Sequence, residues 1–242
     1  PVRMLRALEF SARLDFSLNH STLTTITEQA PLIAEAATAR IREELLELFR
    51  HGVGAEVLQQ AQTLGLMQPM MGGYLPGKVT FRLLQELNRY FQKLGKVDEA
   101  VLLAALFIDH FWQKCPVKAS FPINEVVQSA GHLMTPYCAH FHLAHGLRHQ
   151  ARELLVGCYR FARGLGHRGQ KRFLQNPGTP LALEMFRLWT EASGGDRALL
   201  ATWQKALHTR DEISHQPSRD ATRRTRRRPR RRRQSTPAEI QV

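Results

Sequence analysis

No two aspartates in this 242-residue chain stand closer than nine residues, the six being Asp15, Asp98, Asp109, Asp196, Asp211 and Asp220. Two-metal phosphoryl chemistry needs two or three carboxylates side by side, so no such centre is expected in the chain as it stands. Cysteine is scarce as well. Cys115, Cys138 and Cys158 are odd in number and far apart, and no CxxC occurs. That excludes a disulfide framework and a cysteine zinc site, and fits a reducing cytosol. The longest apolar run, Ala100 to Phe111, is interrupted by Asp109 and His110; it is too short to cross a bilayer and reads as a buried helix. No segment alternates in the way of a strand. The glycines of GLMQPMMGGYLPGK (65–78) do not form GxxxxGK[ST], so no phosphate-cradling loop is indicated.

What is present is apolar material at helical spacing and an excess of arginine. Hydrophobic residues make up 43% of the chain, ample for a core, and the formal net charge is +13. The charge is uneven. From Pro217 onward ten arginines face only Asp220 and Glu239, a net +8, which leaves +5 for the rest. A mildly basic body with a strongly basic end points to a polyanionic partner, most simply a nucleic acid. Arg223, Arg224, Arg226, Arg227, Arg228, Arg230, Arg231, Arg232 and Arg233 form a run broken only by Thr225 and Pro229. With nothing apolar to bury, the run is expected to be disordered alone and to contact phosphates with little sequence preference.

On a helical wheel the opening stretch PVRMLRALEFSARLDF divides into two faces. Met4, Leu5, Leu8, Ala12 and Phe16 fall on one, and Arg3, Arg6 and Arg13 with Phe10 between them on the other. The basic face suits phosphates or a stacked base, and it is equally what a solvated amphipathic helix presents. Asn19-His20-Ser21 starts a short helix to about Gln29, interrupted by Pro31. A helix follows over 38–50, with Ile41, Leu45, Leu48 and Phe49 inward, an Arg40–Glu44 surface pair and Gly52 as its stop. Further helices are predicted over 55–64, 79–94 (Leu83, Leu84, Leu87, Tyr90, Phe91 and Leu94 inward), 97–112, 123–134, 136–163, 179–192 and 196–208. Residues 65–78 are read as a loop, Thr179-Pro180 as an N-cap and N1 pair, and Asp196 as a cap.

Other clusters point to little chemistry. His145 and His149 are four apart with His142 nearby, yet no carboxylate or cysteine completes a metal set, so they read as ordinary histidines and no metal site is expected. Asp109-His110 reads as a helix end with its polar residues turned outward. No serine or cysteine nucleophile has an oriented base.

Two stretches resemble a known family. Pro1-Val2-Arg3, Leu5-Arg6-Ala7, Phe10 and Leu14 are similar to the head-to-neck segment Pro-Val-Arg-x-Leu-Arg-Ala-x-Arg-Phe-Ala-x-x-Leu of bacterial poly(A) polymerases and the related CCA-adding enzymes. Ala39, Arg40, Ile41, Glu43, Glu44 and Leu48 resemble the neck motif Ala-Arg-(Ile/Leu)-x-Glu-Glu-x-x-x-Leu, in the right order and about 35 residues on. The pattern from Tyr159 to Leu207 resembles the carboxy-terminal domain of the poly(A) polymerases, where a basic helix with an Arg-Phe pair precedes a Leu-Arg-rich helix and one bearing a Trp.

The resemblance implies an all-α helical array of nine to eleven helices, divided into a neck (1–52), a body (53–208) and an arginine-rich tail (209–242). It implies a bacterial, cytoplasmic, template-independent enzyme that adds AMP from ATP to RNA 3′ ends. Mg2+ and ATP would be bound mainly by a nucleotidyltransferase head preceding Pro1, where Asp-x-Asp follows a Gly-Ser turn. No Gly-Ser precedes any aspartate here, so this chain alone is expected to be inactive. By the same resemblance Arg3 and Arg6 contact the nucleotide, Arg13 and the tail arginines contact RNA, and Arg40, Glu43 and Glu44 brace the neck. RNA-decay proteins such as nucleases or helicases are the expected protein partners. Glu9 departs from the family, placing an anion where a second basic residue is usual. CCA addition to tRNA and a non-catalytic RNA-binding adaptor are the alternatives.

Overall fold

The computed structural model describes residues 1–215, with side-chain surroundings through Thr209. The described residues form twelve α-helices, two short 3₁₀ segments (Ala30–Glu35 and Val117–Ala119) and no strand. The helices are α1 (Arg3–Leu14), α2 (His20–Gln29), α3 (Thr38–Arg50), α4 (Gly54–Thr63), α5 (Met67–Met70), α6 (Lys78–Leu94), α7 (Glu99–Lys114), α8 (Ile123–His140), α9 (His145–Ala162), α10 (Gln170–Leu174), α11 (Thr179–Ser193) and α12 (Arg197–His215). The all-α expectation holds, and the twelve helices exceed the expected nine to eleven by one. The four residues of α5 carry too little periodicity to be seen in sequence, whereas α10 holds the Arg172-Phe173 pair of the basic helix that the resemblance implies.

One hydrophobic core runs from Leu5 to Trp203. At its centre is α7, buried along most of its length from Ala100 to Phe111 as the apolar run predicts. It packs on α6, α8 and α9, while α11 lies across α6 and α9, and α1 rests on α4. Phe161 anchors the far end. Its ring meets Phe173, Phe186 and Trp203 at 5.0–5.6 Å, and its carbonyl accepts the Trp203 indole N–H at 2.9 Å. Gly157 of α9 sits against Ala182 of α11 so closely that a Cβ there would be 2.6 Å from the Ala182 Cβ. No described helix is long and apolar enough to cross a membrane.

Five local expectations are corrected. Phe16 does not join the buried face. Asp15 takes a left-handed turn (φ 56°) that ends α1, and Phe16 is 64% exposed. Leu94 lies at the end of α6, where Gly95 turns the chain, and is exposed too. Pro136 does not divide one helix from the next. α8 runs through it, and the break falls at 141–144. The carbonyl orphaned by the missing N–H belongs to His132, on an exposed turn where water can serve it, while Tyr137 and Cys138 are buried. Thr179 is not a cap: its hydroxyl donates to the Phe173 carbonyl, and Gly178 precedes the helix.

The fifth correction concerns Asp109, which is turned inward. Its Oδ2 accepts the backbone N–H of Thr80 at 2.9 Å, the task an N-cap side chain performs on the third residue of a helix. Gly77, at the N-cap of α6, has no side chain to do this. A Cβ there would lie 2.8 Å from the Asp109 Cβ. His110 sits beside Tyr74, whose hydroxyl donates to the Leu106 carbonyl.

Candidate nucleic-acid interface

Helix α1 forms because Leu5 and Leu8, at 1% and 0% exposure, seal it onto the core while arginines tolerate the opposite side. On that side Arg3, Arg6, Phe10 and Arg13 are exposed. The Arg13 guanidinium lies 4.9 Å and that of Arg6 5.7 Å from the Phe10 ring centroid. Two planar cations against one ring give a flat charged surface, suited to a phosphate on its edge or a base on its face. Arg3 and Arg6 make no hydrogen bond or ion pair among the described residues.

Glu9 does not stand in this basic face. It is 4% exposed and turned toward α3, where its Oε1 meets His51 Nδ1 at 2.9 Å and accepts from Arg13 Nη1 at 3.2 Å. The carboxylate thus fixes Arg13 rather than opposing the arginines. The family-like departure at Glu9 is a buried tie between α1 and α3.

The C-terminal end of α1, the start of α2 and α4 enclose a groove of about 620 Å3, with Phe16, Ser17, Gln59, Gln60 and Thr63 among its walls and Glu56 as its charged residue. Amides and hydroxyls can donate to and accept from base edges, and the exposed Phe16 ring at the rim can carry a stacked base.

The neck residues fall out differently from expectation. Arg40 and Glu43 are exposed and Glu44 is half-buried, and none of the three makes an ion pair among the described residues. The expected Arg40–Glu44 pair does not form. The brace is Arg42, which grips Glu99 at the start of α7 with both Nε and Nη2, the latter 2.6 Å from Oε2. Glu99 holds the guanidinium pKa above its ordinary value. Nothing in the local pattern marks Arg42, since its partner lies 57 residues on. The tail arginines Arg223, Arg224, Arg226, Arg227, Arg228, Arg230, Arg231, Arg232 and Arg233 lie outside the described residues. So do the last residues of the expected body-to-tail passage.

Metal ligation finds no centre here. Among the described residues no three His, Cys, Asp or Glu side chains gather closely enough to hold an ion. His142 sits in the turn before α9 (φ 50°) and not on its face with His145 and His149. The three cysteines are buried thiols, and burial pushes the pKa of each upward.

Sequence reasoning missed a second basic locus. Between Glu153 and Glu184 there is no acidic residue, while Arg160, Arg163, Arg168, Lys171 and Arg172 fall within thirteen positions. That local imbalance is the available signal. The fold gathers Arg160, Arg168 and Arg172 on one cavity of about 680 Å3 between α9, α10 and α11.

A family model described as "Probable RNA and SrmB- binding site of polymerase A" matches residues 15–74, the stretch that holds α2 to α5 and most of the groove walls. Among curated proteins the chain is similar to Poly(A) polymerase I of Salmonella typhi, 31% identical over 117 residues (44% of this chain, 25% of that protein). It is similar to Poly(A) polymerase I of Haemophilus influenzae, 25% identical over 224 residues (84% of this chain, 48% of that protein). It is also similar to the CCA-adding enzyme of Bacillus licheniformis, 36% identical over 97 residues (40% of this chain, 24% of that protein). In these matches the chain spans from about a quarter to a half of the relatives' length. The motifs, the helical fold and these likenesses agree: the chain is similar to the bacterial poly(A) polymerases and CCA-adding enzymes.

Proposed function

We propose that this chain is the RNA-holding portion of a bacterial, cytoplasmic poly(A) polymerase, which adds AMP from ATP to RNA 3′ ends. In that reaction the RNA 3′-hydroxyl attacks the α-phosphate and pyrophosphate leaves. The described residues supply no carboxylate set that fits the divalent ions of such chemistry, so no chemical step is assigned to them. Their role is to hold and position RNA, with Arg3 and Arg6 placed for the nucleotide or the RNA end and Arg13 for the strand. RNA-decay proteins are the fitting partners for such an enzyme.

The observation that carries this reading is the α1 face. Two guanidinium groups flank an exposed phenylalanine, and the same helix ends on the groove most of whose walls lie in the matched segment. The test is binding of a 20-nucleotide oligo(A) across a salt series. Replacing Arg3 and Arg6 by Gln should lower the log–log salt slope by about 1.4, roughly 0.7 per phosphate contact on a single strand. A slope equal to that of the unaltered chain would overturn the assignment of both arginines. CCA addition is the second reading, favoured by the likeness to CCA-adding enzymes. Comparing ATP with CTP incorporation in the full-length protein separates the two.

A further inference from the structure

The cavity between α9, α10 and α11 has walls of two kinds. Ile123, Leu154, Leu181 and the ring of Phe173 supply apolar lining, and Arg160, Arg168 and Arg172 supply cations. The acids that also border it are already engaged. Asp98 accepts the backbone N–H groups of Ala100 and Val101 as the cap of α7, and Glu153 pairs with Arg152 and, at 4.0 Å, His149. None of the three arginines has a hydrogen bond or ion pair among the described residues. The Arg160 guanidinium lies over the Phe173 ring at 5.3 Å, and its burial lowers its pKa from the ordinary arginine value. The nearby Glu153 carboxylate acts on Arg160 but is shared with Arg152 and His149, so the three arginines leave an excess of positive charge that an anion from outside can balance.

The size and the mixed lining define that anion. Cavities of about 300–1,000 Å3 hold small ligands with most of their surface covered, and this one falls inside that range. A flat apolar body joined to a phosphate fits a cavity lined by Ile, Leu and Phe together with three guanidinium groups. We propose that this cavity is a nucleotide-binding site, taking one phosphate on Arg160, Arg168 and Arg172 and the attached base against Phe173 and Leu181. It lies outside the matched segment 15–74 and is thus a second contact, separate from the α1 face and its groove. The need for an anion follows from the arginines themselves, whereas the choice of a nucleotide rests on the RNA-binding reading above.

The experiment uses the whole chain and an oligo(A) 12-mer carrying one photoreactive 8-azidoadenosine, with cross-links mapped by mass spectrometry. A cross-link in the peptides bearing Phe173 or Leu181 is expected. Two variants go with it, each checked for an unchanged far-ultraviolet circular dichroism spectrum. R168Q/R172Q alters exposed residues only and should lower the salt slope by about 1.4. L181W fills the cavity without removing charge and should abolish the cavity cross-link, which a mere surface charge effect would not do. Loss of the cross-link on adding micromolar ATP identifies a free nucleotide as the natural occupant; persistence identifies a residue of RNA. Cross-links confined to α1, α4 and the tail, with both variants binding like the unaltered chain, would overturn the cavity proposal and leave the RNA-binding reading standing. A chain that binds no oligo(A) would overturn that reading, and absence of ATP protection of the Arg168 and Arg172 peptides would then overturn the cavity as well.

Discussion

Exchanging one methyl group between α9 and α11 tests the packing that shapes the cavity. Gly157 and Ala182 both line it, and a Cβ on Gly157 would stand 2.6 Å from the Ala182 Cβ and 3.9 Å from its Cα. G157A therefore forces two buried helices apart. Overpacking of this kind costs about 1–3 kcal/mol, offset by up to about 1 kcal/mol because alanine favours a helix over glycine. A182G removes a methyl that is 3% exposed and puts glycine in the first turn of α11, together about 1–2 kcal/mol. The double variant G157A/A182G restores the same contact with the methyl on the other helix. It should fall within about 1 kcal/mol of the unaltered chain, so the two changes should couple by about 2 kcal/mol. Urea denaturation followed at 222 nm measures all four proteins. Singles that simply add in the double would refute the close approach as the reason for Gly157. If the close approach is right, G157A should also weaken the cavity cross-link, and the double variant should recover it.

Three more outcomes are expected. D109A removes the cap of α6 from a neighbouring helix and should lower stability by about 1–2 kcal/mol, with D109N recovering some of it because the amide oxygen still accepts from Thr80; equal urea midpoints for D109A and the unaltered chain would sink the cap assignment. The thiols of Cys115, Cys138 and Cys158 and the phenols of Tyr74 and Tyr137 are all pushed upward by burial, so the folded chain keeps protons that the unfolded chain releases; stability should hold at neutral pH and fall as pH rises through about 8.5 to 10, and a constant melting temperature to pH 10.5 would contradict this. Deleting Arg223 to Arg233 should flatten the salt dependence of RNA binding by roughly 0.7 in slope per phosphate lost, measured by fluorescence anisotropy; an unchanged slope would mean that this run is not an electrostatic contact.

The fold is legible in the sequence where the deciding physics is local. α3 occupies Thr38–Arg50 as expected because Ile41, Leu45, Leu48 and Phe49 repeat at helical spacing and Gly52 follows. α2 starts at His20 because Asn19 accepts from Thr22 N–H. The misreadings share a cause. A helical wheel cannot see that Asp15 turns left-handed before Phe16, nor that Asp109 serves a helix 29 residues earlier. Pro136 looks like a break because its local penalty is certain, whereas burial of the next two residues is a property of the fold. At the interface, Arg3, Arg6 and Arg13 are legible as a face, but the role of Glu9 is not, since its partner His51 is 42 residues away. Local spacing favours Arg40 over Arg42 as the brace because only the fold brings Glu99 within reach.

The first turn of α7 belongs to two neighbourhoods at once. Glu99 is gripped by Arg42 of α3, and the adjoining Asp98 both caps α7 and borders the arginine cavity. One helix end thereby joins α3, which Glu9 ties to α1, to the border of the proposed second contact. An RNA strand engaged at both places cannot set its own spacing. If both proposed contacts hold RNA, the number of nucleotides bridging them would be set by the protein, which would then work as a ruler and favour strands long enough to reach from one mark to the other.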